Sequence, residues 1–150
     1  MNEISSEKPE LVFSDLKEGR TFRPLVFTAS EEMVRQYMQT VGDENPLYWD
    51  KKVCEREGFA GPVAPPGLAA IYARCSYLQD YVMPSGGVLT RQELIFEAPI
   101  MVGETVEVTA TVKESYVDEK GRKRVAFLIE AVKRDGSLAS EIHLYAIWPK

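Results

Sequence analysis

An α+β fold is predicted, in which a curved antiparallel sheet wraps around one long central helix. Three observations predict it. Helical spacing is confined to the first half of the chain, strand alternation to the second, and short Gly-containing turns separate the strand-like runs.

The elements follow in order. Residues 1–15 read as a flexible polar lead-in, and residues 16–150 as a single domain. Thr21–Thr28 is rich in β-formers, with Pro24 assigning it to a sheet edge. Thr28 with Glu31 matches a capping box, and Ser30 is a rival N-cap. Met33, Val34, Tyr37, Met38 and Val41 then recur at helical spacing until Gly42 ends the helix. A short second helix is predicted over Lys51–Glu57, stopping at Gly58. The segment GFAGPVAPPGLAAIYARCSYLQDYVM places Pro-Pro-Gly where a helix begins. Leu68, Ile71, Tyr72, Cys75, Leu78 and Val82 give that helix a broad apolar face, predicted to run over Leu68–Val82.

Four long strands are predicted next, over Val88–Ala98, Glu104–Asp118, Arg122–Arg134 and Leu138–Trp148, as an antiparallel meander. In the second, Val106, Val108, Ala110 and Val112 alternate with Thr105, Glu107, Thr109 and Thr111, so one face is buried and the other polar. Glu119-Lys120-Gly121 and Asp135-Gly136 are hairpin turns. A sheet wrapped on one helix is the hot-dog arrangement. Its long edges predict pairing with a second copy or a related subunit.

Composition narrows the function. The net charge of −5 and the lack of a basic run argue against nucleic acid or an anionic membrane as partner. Cys54 and Cys75 lack metal-ligand spacing and His143 is the one histidine, so no metal site is expected. Both cysteines read as reduced and buried, as in a cytoplasmic protein. The start MNEISSEKPE lacks a signal-peptide pattern, and no run is long enough to span a membrane.

The chemistry-bearing stretch is GDENPLYWD, residues 42–50, which sets a carboxylate and an amide in a turn after a helix. The plainer reading of Asp43 is an acceptor of local backbone N–H groups in an Asx-type turn. Together with GFAGPVAPPG and LIFEAPIMVGETVEV, however, the stretch resembles the MaoC-like acyl-thioester hydratases and dehydratases over roughly residues 20–148. That family has the hot-dog fold. Its members add water reversibly across the 2,3 double bond of an enoyl thioester on CoA or acyl carrier protein, without a cofactor.

The resemblance implies roles for particular residues. Asp43 and Asn45 match the aspartate and asparagine of the family's GD-x-NP-x-H turn, which activates the attacking water and protonates C2. Ala64, Pro66, Gly67 and Leu68 lie where backbone N–H groups at the start of the central helix stabilise the thioester oxyanion. Tyr72, further along the helix, would line the acyl path, and Trp49 is a further aromatic candidate. Two departures matter. Tyr48 occupies the histidine position, and a phenol with a reference pKa of about 10 is a poor base at neutral pH. Pro66 replaces an oxyanion glycine and has no N–H, leaving Gly67 or Leu68 as donors.

Asn-Pro-x-Tyr with Ala-Pro-Pro looks like the degenerate hot-dog half of two-domain or two-subunit members of the family. Three readings follow from the resemblance. The chain is an acyl-binding subunit completing the site of a histidine-bearing partner, a self-sufficient homodimeric hydratase using Asp43, or a hot-dog thioesterase or thioester binder.

Overall fold

The computed structural model describes residues 7–150. Five strands form one antiparallel sheet: β1 (Leu25–Thr28), β2 (Val88–Phe96), β3 (Thr105–Val117), β4 (Lys123–Lys133) and β5 (Leu138–Trp148). Their order is β1-β3-β4-β5-β2. The meander therefore comprises β3 to β5 alone. β2 crosses to the far side and pairs with β5, so the expectation of a four-strand meander is corrected.

The predicted alternation holds in β3, where Val106, Val108, Ala110 and Val112 are all buried. Each Val contributes roughly 1.5–3 kcal/mol by leaving water. Register shifts at Leu89/Arg91, Val112/Glu114 and Ala131/Val132 interrupt the ladders, and such bulges bend and twist the sheet.

Helix α1 (Glu31–Val41) is capped by Ser30, whose hydroxyl accepts from Met33 N–H. Thr28 belongs instead to β1, bonded to Thr105 across the pair, so the Thr28 capping box does not form. Gly42 ends α1 at φ 71°, a left-handed conformation that favours glycine. Helix α2 spans Lys51–Arg56, capped by Asp50.

The central helix α3 covers Leu68–Ser76, nine residues rather than the fifteen expected. Ser76 Oγ donates to the Ala73 carbonyl at 2.6 Å, a local bond that competes with helix continuation. Beyond it the chain turns so that Val82 bridges Glu10, with Leu11 N–H donating to the Val82 carbonyl at 2.9 Å. Leu78 and Val82 fell on the helical period without belonging to the helix.

The lead-in reading also changes. Residues 1–6 lie outside the described residues, but Leu11 and Leu16 are fully buried, and Trp148 Nε1 donates to the Leu11 carbonyl at 2.7 Å. Within the lead-in, Leu11 is drawn into the core and Phe13 packs against it, while Val12 stays exposed.

Helix α3 lies against β1 and β3. Tyr72 meets Phe27 edge-on with ring centroids 5.3 Å apart, and Tyr77 stacks on Phe127 at 4.5 Å. Cys54 is buried, its thiol donating to the Leu47 carbonyl, whereas Cys75 is exposed and not the core residue expected. Among the described residues no helix is long and apolar enough to cross a membrane.

Candidate active site

The turn after α1 organises the chemistry-bearing side chains locally. Asp43 Oδ1 accepts from Asn45 N–H at 3.2 Å, and Asn45 Oδ1 accepts from Leu47 N–H at 3.0 Å, starting the 3-10 turn Pro46–Tyr48. The Tyr48 hydroxyl then donates to Asp43 Oδ2 at 3.2 Å. Burial, with the Asp43 carboxylate and Tyr37 alongside, pushes the Tyr48 phenol above its ordinary range. Tyr48 therefore keeps its proton at neutral pH. Trp49 is exposed, its indole N–H donating to the Glu44 carbonyl.

This turn is stitched to the approach of α3 by Val63 N–H, which donates to the Leu47 carbonyl at 2.8 Å. Ala64 N–H is held by the Ile100 carbonyl at 2.7 Å. At the start of α3, Leu68 N–H turns back to the Pro65 carbonyl and Ala69 N–H to the Pro66 carbonyl. Pro65 and Pro66 have no N–H to offer. Gly67 N–H is thus the free donor at this helix end among the described residues, and Leu68 is not. Tyr37, which sequence reasoning treated as a helix-spacing residue only, packs its hydroxyl where a Gly67 side chain would stand.

A cavity of about 240 Å³ opens beside α3, bounded by Phe27, Ala64, Pro66, Leu68, Tyr72 and Ile100 on the α3 side and by β2 and β5 residues opposite. Ala64, Pro66, Leu68 and Tyr72 all line it, and Gly67 stands next to it in sequence. Asp43, Asn45 and Tyr48 do not line it. Within this chain the polar turn and the apolar cavity are neighbouring features rather than one chamber.

Ser140, missed from the sequence, lines the same cavity and bonds through its hydroxyl to that of Tyr72. Its signal was alternation, since Ser140, Ile142 and Leu144 share the buried face of β5. His143 falls between them on the opposite face, 3.6 Å from Glu141, and cannot reach the cavity as a base.

The cavity's outer loop is pinned by Lys133. Its ammonium donates to the Pro99 carbonyl at 2.9 Å and lies 2.9 Å from Glu104 Oε1. That oxygen is buried and receives no well-aligned hydrogen bond, so the pairing with Glu104 is mainly coulombic. No three His, Cys, Asp or Glu side chains gather as a metal site would need among the described residues.

Comparison with known proteins places the chain in a family. The family model of the FAS1-like dehydratase domain region matches residues 17–137. A 3-hydroxybutyryl-CoA dehydratase of Methylorubrum extorquens is 31% identical over 116 residues, 77% of this chain and 72% of that protein. A Streptomyces avermitilis protein known as UPF0336 protein is 28% identical over 102 residues, 63% of this chain and 68% of that one. Among solved structures, the (R)-hydratase of A. caviae involved in PHA biosynthesis superposes with a TM-score of 0.75 at 20% identity, covering 89% of this chain and 98% of that chain. The HadBC (3R)-hydroxyacyl-ACP dehydratase complex of Mycobacterium tuberculosis gives a TM-score of 0.75 at 20% identity, covering 87% and 96%. These last two likenesses carry the hot-dog fold. With the family model matched over most of its length, the chain belongs to the FAS1-like dehydratase region family, the MaoC-like hot-dog dehydratases.

Proposed function

We propose that this chain is the acyl-binding half of a two-subunit acyl-thioester hydratase or dehydratase, working beside a histidine-bearing hot-dog subunit. The observation that carries the reading is the Tyr48–Asp43 hydrogen bond. A general base must present a free lone pair to the water it deprotonates. Here one Asp43 oxygen faces a phenol that keeps its proton, and the other faces Asn45 N–H. Each oxygen keeps a second lone pair. The residue at the family's histidine position, however, is a phenol that keeps its proton, so Asp43 has no neutral base beside it to share the proton transfer.

The rest of the site suits acyl binding. An apolar cavity beside α3 takes the acyl chain, and Gly67 N–H offers one donor to the thioester carbonyl. CoA or acyl carrier protein is the carrier, the partner subunit supplies the Asp and His, and the location is cytoplasmic. The hot-dog fold also occurs in a two-protein dehydratase complex, HadBC.

A self-sufficient homodimer is the second reading, favoured by the M. extorquens relative named 3-hydroxybutyryl-CoA dehydratase. Asp43 would then be the base, with Asn45 and Tyr48 orienting it.

One experiment separates them. The chain is purified from its native host and, separately, after expression alone, and each sample is assayed for hydration of crotonyl-CoA. We expect turnover only with a co-purifying hot-dog partner, and a rate within a few-fold of wild type for Asp43→Asn in that complex. Turnover by the lone homodimer that falls about a hundredfold or more in Asp43→Asn, with the fold intact, overturns the proposal.

A further inference from the structure

The wall of the cavity beside α3 is apolar except at the exposed Glu97 and at one buried point. There the Tyr72 and Ser140 hydroxyls bond to each other, with Tyr72 2% and Ser140 1% exposed. Two hydroxyls carry two protons, and a single mutual bond uses one of them. Among the described residues neither oxygen has another hydrogen-bond partner, so one O–H is left to donate. Burial pushes the Tyr72 phenol above its ordinary range, outweighing the bond from Ser140, so the proton stays in place. A buried donor without an acceptor is costly, and Phe with Ala would close this wall at no such cost.

We infer that this hydroxyl pair selects an acyl group carrying its own oxygen, a carbonyl or hydroxyl several bonds beyond the reacting carbons. The inference rests on the acyl-binding reading above. Tyr72 follows Gly67 by five residues, about 7.5 Å along the helix axis, which sets its ring beyond the helix start that would face the thioester. Cavity size adds a second limit. The space of about 240 Å³ lies below the usual range of pockets for drug-sized ligands, which suits a short acyl group. The ligand is a short, oxygenated acyl thioester rather than a long hydrocarbon one.

The test is calorimetric titration of the full chain, with any co-purifying partner, using three saturated thioesters that hydration cannot consume. These are hexanoyl-CoA, 5-oxohexanoyl-CoA and dodecanoyl-CoA. We expect 5-oxohexanoyl-CoA to bind about five- to tenfold tighter than hexanoyl-CoA, the scale of one neutral hydrogen bond in a dry site, and dodecanoyl-CoA to bind weakest. Each of Tyr72→Phe and Ser140→Ala keeps one hydroxyl and part of the preference. The double variant should lose it and bind hexanoyl-CoA at least as well as wild type. Equal binding of the two six-carbon thioesters by wild type overturns the inference while leaving acyl binding standing, and points to an internal water as the acceptor. Failure to bind any of the three removes the acyl-binding reading itself, and this inference with it.

Discussion

The Tyr48 hydroxyl and the Asp43 carboxylate meet at 3.2 Å, on the oxygen opposite the one that Asn45 N–H holds at 3.2 Å. Both carboxylate oxygens thereby tie the turn Gly42–Tyr48 to itself. Asp43→Ala removes both acceptors and should cost about 1 kcal/mol of stability, the scale of partly exposed hydrogen bonds. Asp43→Asn keeps one acceptor oxygen and should cost less than half as much. Urea unfolding of the two variants checks the ratio. Equal losses would mean that charge, not the hydrogen bonds, is what the turn uses.

A second prediction concerns Gly67. A Cβ there would overlap the Tyr37 hydroxyl, so the α1 tyrosine and the α3 glycine fit as a pair. Gly67→Ala forces the half-buried Tyr37 ring aside and should destabilise by about 1–3 kcal/mol, as overpacking does. Tyr37→Ser on that background should recover most of the loss, giving a coupling energy of comparable size. Additive losses in a double-mutant cycle would show that the contact is not felt.

The β3–β4 hairpin predicts a pH response. Asp118 Oδ1 accepts from the N–H groups of Lys120 and Arg122, and Oδ2 from the side chains of Arg122 and Arg124 at 2.8 and 2.9 Å. Desolvation acts to raise this carboxyl, but these donors outweigh it and hold it well below the usual carboxylate range. A depressed folded value means stability is fully present above the unfolded value of about 4 and is lost as pH falls towards the folded one. Wild type should melt higher than Asp118→Asn at pH 6, and the gap should narrow by about pH 3. A constant gap would place the effect outside this carboxyl's titration.

How much of this was legible in the sequence depends on the range of the interactions involved. The strands β3, β4 and β5 were readable because alternation and two tight hairpins are local signals. Pairing of β2 with β5 was not, because it depends on the crossover from β2 to β3 at the far side of the sheet, a long-range feature without a local signal. The end of α3 was hidden for a similar reason. Leu78 and Val82 keep the helical period, yet Ser76 and the Glu10–Val82 bridge stop the helix. The GDENPLYWD turn was visible as a motif, and its internal bonds are Asx-type, as the plainer reading had it. The cavity was half visible. Ala64, Leu68 and Tyr72 come from one continuous segment, while Phe27, Ile100 and Ser140 join it only through the tertiary fold.

The last prediction concerns assembly, and it turns on the unequal edges of the sheet. One edge is β1, only four residues long. The other is β2, nine residues long, with Val88, Leu89, Leu94, Ile95 and Phe96 all exposed in the single chain. Leu94 pairs with Ile142 and Phe96 with Ser140, so both lie on the sheet face that bears α3. Ile71 on α3 is exposed as well, at 44%. A long apolar edge with unpaired backbone groups is a template for another strand, and a strand added there can also cover part of this face. Pairing through β2 is therefore expected, with a second copy or a related subunit. Leu94→Lys puts a charge at that junction and should shift the protein from dimer to monomer at micromolar concentration. Val26→Lys, on the highly exposed β1 edge, should leave the dimer intact. Light scattering coupled to size-exclusion chromatography reads both. A wild-type monomer across that range, or dissociation by Val26→Lys with Leu94→Lys still dimeric, would rule out β2 as the joining edge.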